Sequence, residues 1–439
     1  MRFNITLVLV FVSIISLAQI QTGTVIEEII CKSDESQSYA LYLPSNYKAE
    51  SNWPIVFFFE PAARGRLPLD LYHEIAEELG YILVSSNNSK NGSWNLGFQA
   101  AEIMIKDVQE RFSINASRVI TSGFSGGSRL ALALAVLTNE VNAVIGVAAA
   151  QPQLKEYQLQ KRQDFIYAGL VGCRDMNYQE HIQFSEFMEK LNMPNILIFS
   201  AATHSWASAN DFKLALLWVD GQFSGHSNED KIANSLQKKY SKENEAISIT
   251  RWESMMNDLN TSISAYKSDE KQLSKQQKSE RLNNNKELKE RKAIFDSLNV
   301  AYLLQSGTEK TVRSLKIKIR NLQAKGERSK NPEAKYMYER LVDFSRATAI
   351  ESAMRYVGMR DYERALLGVK VWDAATSNEI FSNWWYAKIY ALMGDEQNSL
   401  SHLEKMLNAG FRNKQALESE TAFEVIRDDP RYQDLVKSL

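Results

Sequence analysis

The sequence predicts an α/β protein: an eight-stranded, mostly parallel sheet in the first half, followed by an all-α helical region. Three observations carry this. Residues 24 to 221 alternate apolar strand patterns with amphipathic helix patterns, as a sheet with crossover helices requires. Two of the strand patterns, Ile55-Val56-Phe57-Phe58-Phe59 and Ile196-Leu197-Ile198-Phe199, are continuously apolar, which suits strands covered on both faces. Beyond residue 226 the breakers vanish: no glycine separates Gly225 from Gly307 and no proline separates Pro194 from Pro332.

The elements follow in chain order. Arg2 precedes an apolar run from Ile5 to Leu17, closing on Ser16-Leu17-Ala18 before Gln19. A basic start, a short apolar stretch and small residues before the cut describe a cleavable secretory signal over residues 1–18, hence an exported protein, periplasmic or secreted. The run is short for a bilayer span. Cys31 follows Ile30 rather than a small residue, which argues against lipid attachment there. Strand patterns rich in β-branched and aromatic residues then cover Thr24 to Cys31, Tyr39 to Leu43 and Ile55 to Phe59. A helix is expected over Leu69 to Leu79 and a strand over Tyr81 to Ser86. Helix Leu96 to Arg111, strand Arg118 to Gly123 and helix Ser128 to Leu137 come next. Strands Ala143 to Ala148 and Phe165 to Val171, helix Tyr178 to Leu191, strand Ile196 to Ser200 and helix Ala207 to Val219 complete the domain at 24–221.

Residues 226–335 are rich in Lys, Glu, Asn and Gln, as in Lys271-Gln272-Leu273-Ser274-Lys275-Gln276-Gln277-Lys278. Few breakers and sparse apolar positions predict long solvated helices, a charged helical connector. The apolar positions Ile294, Phe295, Leu298, Val300 and Ala301 require those helices to pack on something. In residues 336–439, Ala353, Tyr356, Ala365 and Val369 recur as Ala387, Tyr390, Ser399 and Leu403, each 34 positions on, and Asp361 matches Asp395. That period resembles tetratricopeptide repeats, helix pairs that bury their faces only by stacking. Trp372, Trp384, Trp385 and Tyr386 read as core residues of such a stack, and Gly410 to Tyr432 as its terminal cap.

Charge and cysteine content exclude several functions. The 439 residues carry 52 basic and 53 acidic side chains, a net charge of -1, and the signs are mixed along the connector. Nothing here attracts nucleic acid, and no membrane partner is expected once the signal is removed. Cys31 and Cys173 are the only cysteines and fall in distant elements, so two free thiols are expected. No C-x-x-C, H-E-x-x-H or H-x-H spacing occurs, and neither a metal nor a cofactor is expected.

The chemistry centres on Gly123-Phe124-Ser125-Gly126-Gly127, a G-x-S-x-G pentapeptide between an apolar strand and the helix Ser128 to Leu137. A strained strand-to-helix turn lifts a serine hydroxyl above the sheet edge, and the Gly126 amide opens the helix toward developing negative charge. The bland reading is a glycine-rich turn carrying an ordinary serine. A serine nucleophile needs a base, and the base an orienting acid. Of His73, His181, His204, His226 and His402, only His204 follows a predicted strand, at the sheet edge where an open α/β fold places its site. His73 and His181 fall in amphipathic helices as surface or boundary residues. Asp175 follows the seventh strand at the same edge; it or Asn177 can also cap the next helix.

The order Ser125, Asp175, His204 on eight strands resembles the α/β-hydrolases, over residues 24 to 221. The opening Tyr39-Ala40-Leu41-Tyr42-Leu43-Pro44-Ser45-Asn46-Tyr47 is similar to the start of secreted esterases related to polyhydroxybutyrate depolymerases and feruloyl esterases. The resemblance implies a serine-histidine-acid triad that cleaves acyl esters through an acyl-enzyme. Where relatives carry a glycine-rich oxyanion turn, this chain reads Phe59-Glu60-Pro61-Ala62-Ala63-Arg64, so the second donor beside Gly126 is expected from a backbone amide, at Ala62 or Ala63, with Ala62 preferred. Glu60 and Arg64 either pair with each other or shape the pocket. The expected function is an exported carboxylesterase acting on a small-molecule or polymer ester. A serine peptidase with the same triad, and a non-catalytic scaffold binding a protein partner through its repeats, remain open alternatives.

Overall fold

The computed structural model describes residues 20–439, apart from 227, 265, 267–269, 304–307 and 377. The segment read as a secretory signal lies outside the described residues. Eight strands form one sheet: β1 Val25–Ile30, β2 Ser38–Tyr42, β3 Trp53–Phe59, β4 Ile82–Ser86, β5 Ile114–Phe124, β6 Ala143–Val147, β7 Ile166–Gly172 and β8 Asn195–Ser200. Their order is β1-β2-β4-β3-β5-β6-β7-β8. β1 pairs antiparallel with β2 and β2 antiparallel with β4, and every later pair is parallel. This is the expected architecture: an eight-stranded, mostly parallel sheet with crossover helices, followed by an all-α region.

The strands are where the apolar patterns lie, because a parallel strand covered by helices on both faces has no solvated side. Ile55 to Phe59 and Ile196 to Phe199 are accordingly buried. The crossover helices are α1 Arg66–Leu79, α2 Trp94–Arg111, α3 Gly126–Thr138, α4 Tyr178–Lys190 and α5 Ala209–Ser224. β5 and β6 lie at the centre of the sheet's parallel part, so the turn from β5 into α3 opens in the middle of its carboxyl edge.

The helical region comprises α6 Glu229–Glu243, α7 Ile249–Asp258, α8 Glu270–Leu303, α9 Thr308–Arg328, α10 Pro332–Gly358, α11 Tyr362–Ala374, α12 Glu379–Leu392, α13 Glu396–Asn408, α14 Lys414–Ser419 and α15 Pro430–Lys437. Its first part is not a solvated connector. Ile232 and Leu236 on α6, and Trp252, Met255 and Met256 on α7, are buried in the same core as the sheet. Charge does not keep this segment in solvent because it is matched: the buried Lys239 ammonium lies 2.7 Å from Asp211 and 3.0 Å from Glu243. Further along, Ile294 joins Leu315, Ile319, Leu341, Ala353 and Val369 in a second core built by α8 to α11.

The residues spaced by 34 occupy corresponding positions in two helix pairs. Ala353, Ala365 and Val369 are buried on α10 and α11, and Ala387, Ser399 and Leu403 on α12 and α13. Asp361 caps α11 by accepting from Arg364 N, and Asp395 caps α13 by accepting from Asn398 N. The turns match as well, since Asp361 N donates to Tyr356 O and Asp395 N to Tyr390 O, both at 2.9 Å. Trp372 is buried, whereas Trp384, Trp385 and Tyr386 are half-buried against the helical cores. No helix among the described residues is long and apolar enough to cross a membrane.

Candidate active site

Ser125 sits between β5 and α3 with φ 54° and ψ -117°, a region that non-glycine residues seldom occupy. Two contacts explain why glycines flank it. A Cβ on Gly123 would lie 2.4 Å from the Gly127 carbonyl, and one on Gly127 would lie 1.9 Å from the Phe59 carbonyl oxygen of β3. The turn therefore folds back on itself and presses against the neighbouring strand. Ser125 N donates to Val147 O at 2.9 Å, which ties the strained residue to β6. The hydroxyl is left at the sheet's carboxyl edge.

The structure brings the three candidate residues together. Nε2 of His204 lies 2.9 Å from Ser125 Oγ, and Nδ1 lies 3.0 Å from Asp175 Oδ2 and 3.1 Å from Oδ1. Asp175 is fully buried, and Oδ1 also accepts from Asn177 N at 2.7 Å. The acid thus stays in the loop while Asn177, not Asp175, stands at the cap position of α4. His204 is half-buried, its ring against Phe124 at 4.8 Å between centroids, and Trp206 packs on Phe124 from beyond. Such contacts restrict the imidazole to the plane that joins acid and hydroxyl.

The other histidines are elsewhere. His73 bonds within its own helix, His226 is exposed, and His402 stacks on Tyr386 and Tyr390. His181, expected at a surface or boundary, is fully buried: Nδ1 lies 3.1 Å from Tyr167 Oη. The face of α4 that carries it packs on β7, which its helical pattern alone did not reveal. Burial holds its pKa down at about 4.

On the oxyanion side, no hydrogen bond among the described residues occupies the Gly126 amide at the start of α3. The Ala62 amide, expected as the second donor, is already given to Glu60 Oε2 at 2.7 Å. Glu60 is fully buried; it accepts from Arg64 N at 3.2 Å and pairs with the Arg64 guanidinium. Ala63 N donates to Glu60 O. The amides of this turn are thus consumed by the glutamate that shapes it, which corrects the expectation for Ala62. A residue missed in the sequence stands nearby. The Asn91 carboxamide lies against Gly126, so close that a Cβ there would be 1.9 Å from Oδ1. Asn91 is held in place through its amide, which donates to Pro61 O at 2.8 Å. The pairing of Lys90 with Ala62 across two loops, beside that hydrogen bond, brings it there.

Cys31 and Cys173 are both buried and unbonded. Cys173 is two residues from the acid, but burial pushes its thiol up to about 12, so it is no rival nucleophile. Among the described residues no group of three or more His, Cys, Asp or Glu side chains is placed to hold a metal ion. A cavity of about 590 Å³ lies beside the site, between Arg174 and Thr203 of the acid and histidine loops and Leu322, Tyr338 and Asp343 of α9 and α10.

No family model and no curated protein matches this chain. Solved structures similar to it include a ferulic acid esterase (14% identity, 44% of this chain and 94% of that one, TM-score 0.37). Another is an S-formylglutathione hydrolase from Agrobacterium tumefaciens (16% identity, 46% and 95%, TM-score 0.36). A third is a hyperthermophilic esterase from the archaeon Pyrobaculum calidifontis (12% identity, 47% and 84%, TM-score 0.34).

Proposed function

We propose that this chain is a serine hydrolase of the carboxylesterase type that forms an acyl-enzyme on Ser125. The observation that carries the reading is the continuous path from Asp175 through His204 to Ser125, at 3.0 and 2.9 Å. In this reading Nδ1–H of His204 donates to Asp175, leaving the Nε2 lone pair to take the Ser125 proton. Oγ bonds to the acyl carbon, and negative charge moves to the carbonyl oxygen. The Gly126 amide donates to that oxygen, and the Asn91 carboxamide, turned to present Nδ2, supplies a second donor. The proton on Nε2 passes to the leaving alcohol as the C–O bond breaks. Water then gives a proton to Nε2 as its oxygen bonds to the acyl carbon; the acyl–Oγ bond breaks, Nε2 returns the proton to Ser125 Oγ, and the carboxylic acid leaves.

Two further parts of the reading rest on sequence. The basic, apolar and small-residue run up to Ala18 supports export, and the matched helix pairs support tetratricopeptide-like repeats. The test is covalent labelling by a fluorophosphonate, together with hydrolysis of p-nitrophenyl esters of increasing acyl length. Wild type is expected to be labelled and active and Ser125→Ala neither. A wild type that resists the probe as fully as Ser125→Ala would sink the reading.

A further inference from the structure

We propose that the helical region is a working part of the active site, in which Arg340 and Arg291 are positioning residues that hold the loop carrying Asp175. The proposal rests on the triad reading and deepens it.

Loop 173–177 leaves β7 and is fixed from two sides. The sheet domain takes its N–H groups: Cys173 N donates to Ser200 O at 2.7 Å, Arg174 N to Ala202 O at 3.2 Å and Asp175 N to Gly172 O at 3.0 Å. The helical region takes carbonyls on either side of the acid. Arg340 of α10 donates through Nη1 to Cys173 O at 2.5 Å, and Arg291 of α8 donates to Met176 O. The arginines are themselves oriented by Glu287 of α8, which lies 2.6 Å from Arg340 Nη2 and 3.6 Å from Arg291. Gln179, on the first turn of α4, donates to the same carboxylate at 3.0 Å. Arg174 pairs with Glu339 at 2.6 Å, and the Arg340 guanidinium lies 4.3 Å from the Tyr178 ring centre. A residue's contact with the helical region thus stands on each side of Asp175, whose own carboxylate is hydrogen-bonded, among the described residues, to Asn177 N and His204.

The chemistry of the clamp separates positioning from mere adhesion. The Arg340–Glu287 pair is buried almost completely, at 2% and 0% exposure. Buried ion pairs seldom stabilise a protein more than apolar residues of the same volume would. Two packed apolar side chains hold helices together, but they offer a carbonyl nothing. The guanidinium, planar with five donors, satisfies the glutamate and the loop carbonyl at once.

The test uses full-length protein. Arg340→Met combined with Glu287→Gln removes the ion pair, keeps contact between α8 and α10, and leaves the side chain at 287 an oxygen that can still accept from Arg291 and Gln179. The expected result is a fall in kcat of about tenfold to a hundredfold with KM nearly unchanged, since displacing a catalytic group by about 1 Å costs roughly that much. Arg340→Lys, which keeps a donor for Cys173 O and a charge for Glu287, should restore most of the loss. In an Asp175→Asn background the pair removal should have almost no further effect, because a residue acting through Asp175 loses its lever. If the paired variant does not fold, Arg291→Met is read instead, with the same pattern at about threefold to tenfold. A folded variant with wild-type kcat, or a loss that adds in full to that of Asp175→Asn, would overturn the proposal. Failure of wild type to label with fluorophosphonate would instead strike at the triad itself.

Discussion

Asp175→Asn alters one atom pair in the site, and its effect follows from the hydrogen bonds around that pair. Oδ1 of Asp175 accepts from the Asn177 amide at 2.7 Å, a donor that cannot turn away because it is backbone. An asparagine here must therefore keep its oxygen toward Asn177 and point its NH2 at His204 Nδ1, the atom 3.0 Å from the present Oδ2. A donor facing Nδ1 forces that nitrogen to accept, so the ring proton moves to Nε2. Nε2 then has no lone pair for the Ser125 hydroxyl 2.9 Å away. Loss of the working tautomer costs roughly 10⁴ in kcat, about 5 kcal/mol of transition-state stabilisation. The fold should survive, since the change removes a buried charge and keeps the shape. The assay is kcat for p-nitrophenyl acetate on protein whose thermal melt matches wild type. A folded variant within about tenfold of wild-type kcat would refute the tautomer argument.

Two other outcomes are expected. Gly127→Ala places a Cβ 1.9 Å from Phe59 O and 2.6 Å from Phe59 C, backbone atoms of β3 that the sheet holds; the melt should fall by the equivalent of about 1–3 kcal/mol and labelling of Ser125 should slow. An unchanged melt would mean that the turn has slack. His181 resists protonation down to about 4 in the native state, against 6.5 when free, so the unfolded chain binds the extra proton between those values. Stability should fall as pH drops through that window, by roughly 3 kcal/mol in total. His181→Gln, which has no proton to gain, should flatten the slope in urea titrations from pH 7 to 4.5, and an unaltered slope would place the acid sensitivity elsewhere.

How far the site was legible depended on whether its cause was local. Ser125 was readable because a strand, two glycines and a helix adjoin it in sequence, and the contacts of Gly123 and Gly127 lie within the turn and on the adjacent strand. Asp175 and His204 were readable one step less directly, as polar residues just past strands whose carboxyl ends share an edge. The pairing of Glu60 with Arg64, four residues apart, was one of two readings allowed by the spacing. That the same glutamate would consume the Ala62 amide was not legible, since it depends on the carboxylate turning back over its own loop. Asn91 carried no signal, being an exposed asparagine in a polar loop. The segment 226–335 misled because its composition is charged throughout. Burial of α6 and α7 rests on a few apolar positions and on Lys239, whose partner Asp211 belongs to another helix.

By itself the sequence determined the strand order of chemistry along the chain: apolar runs that must be strands, a glycine-flanked serine that must be a turn, and a 34-residue recurrence in the last helices. These follow from steric and burial rules acting over a few residues, so local spacing suffices. Only the tertiary structure decided which groups meet, because distances between residues 79 positions apart, such as Ser125 and His204, depend on how the whole sheet is wound. It also decided that Arg340, 165 positions beyond Asp175 in the chain, reaches the acid's loop. A buried guanidinium needs groups that accept its protons, here an acid and a carbonyl, and in the sequence Arg340 is one of three arginines in α10 with nothing to set it apart.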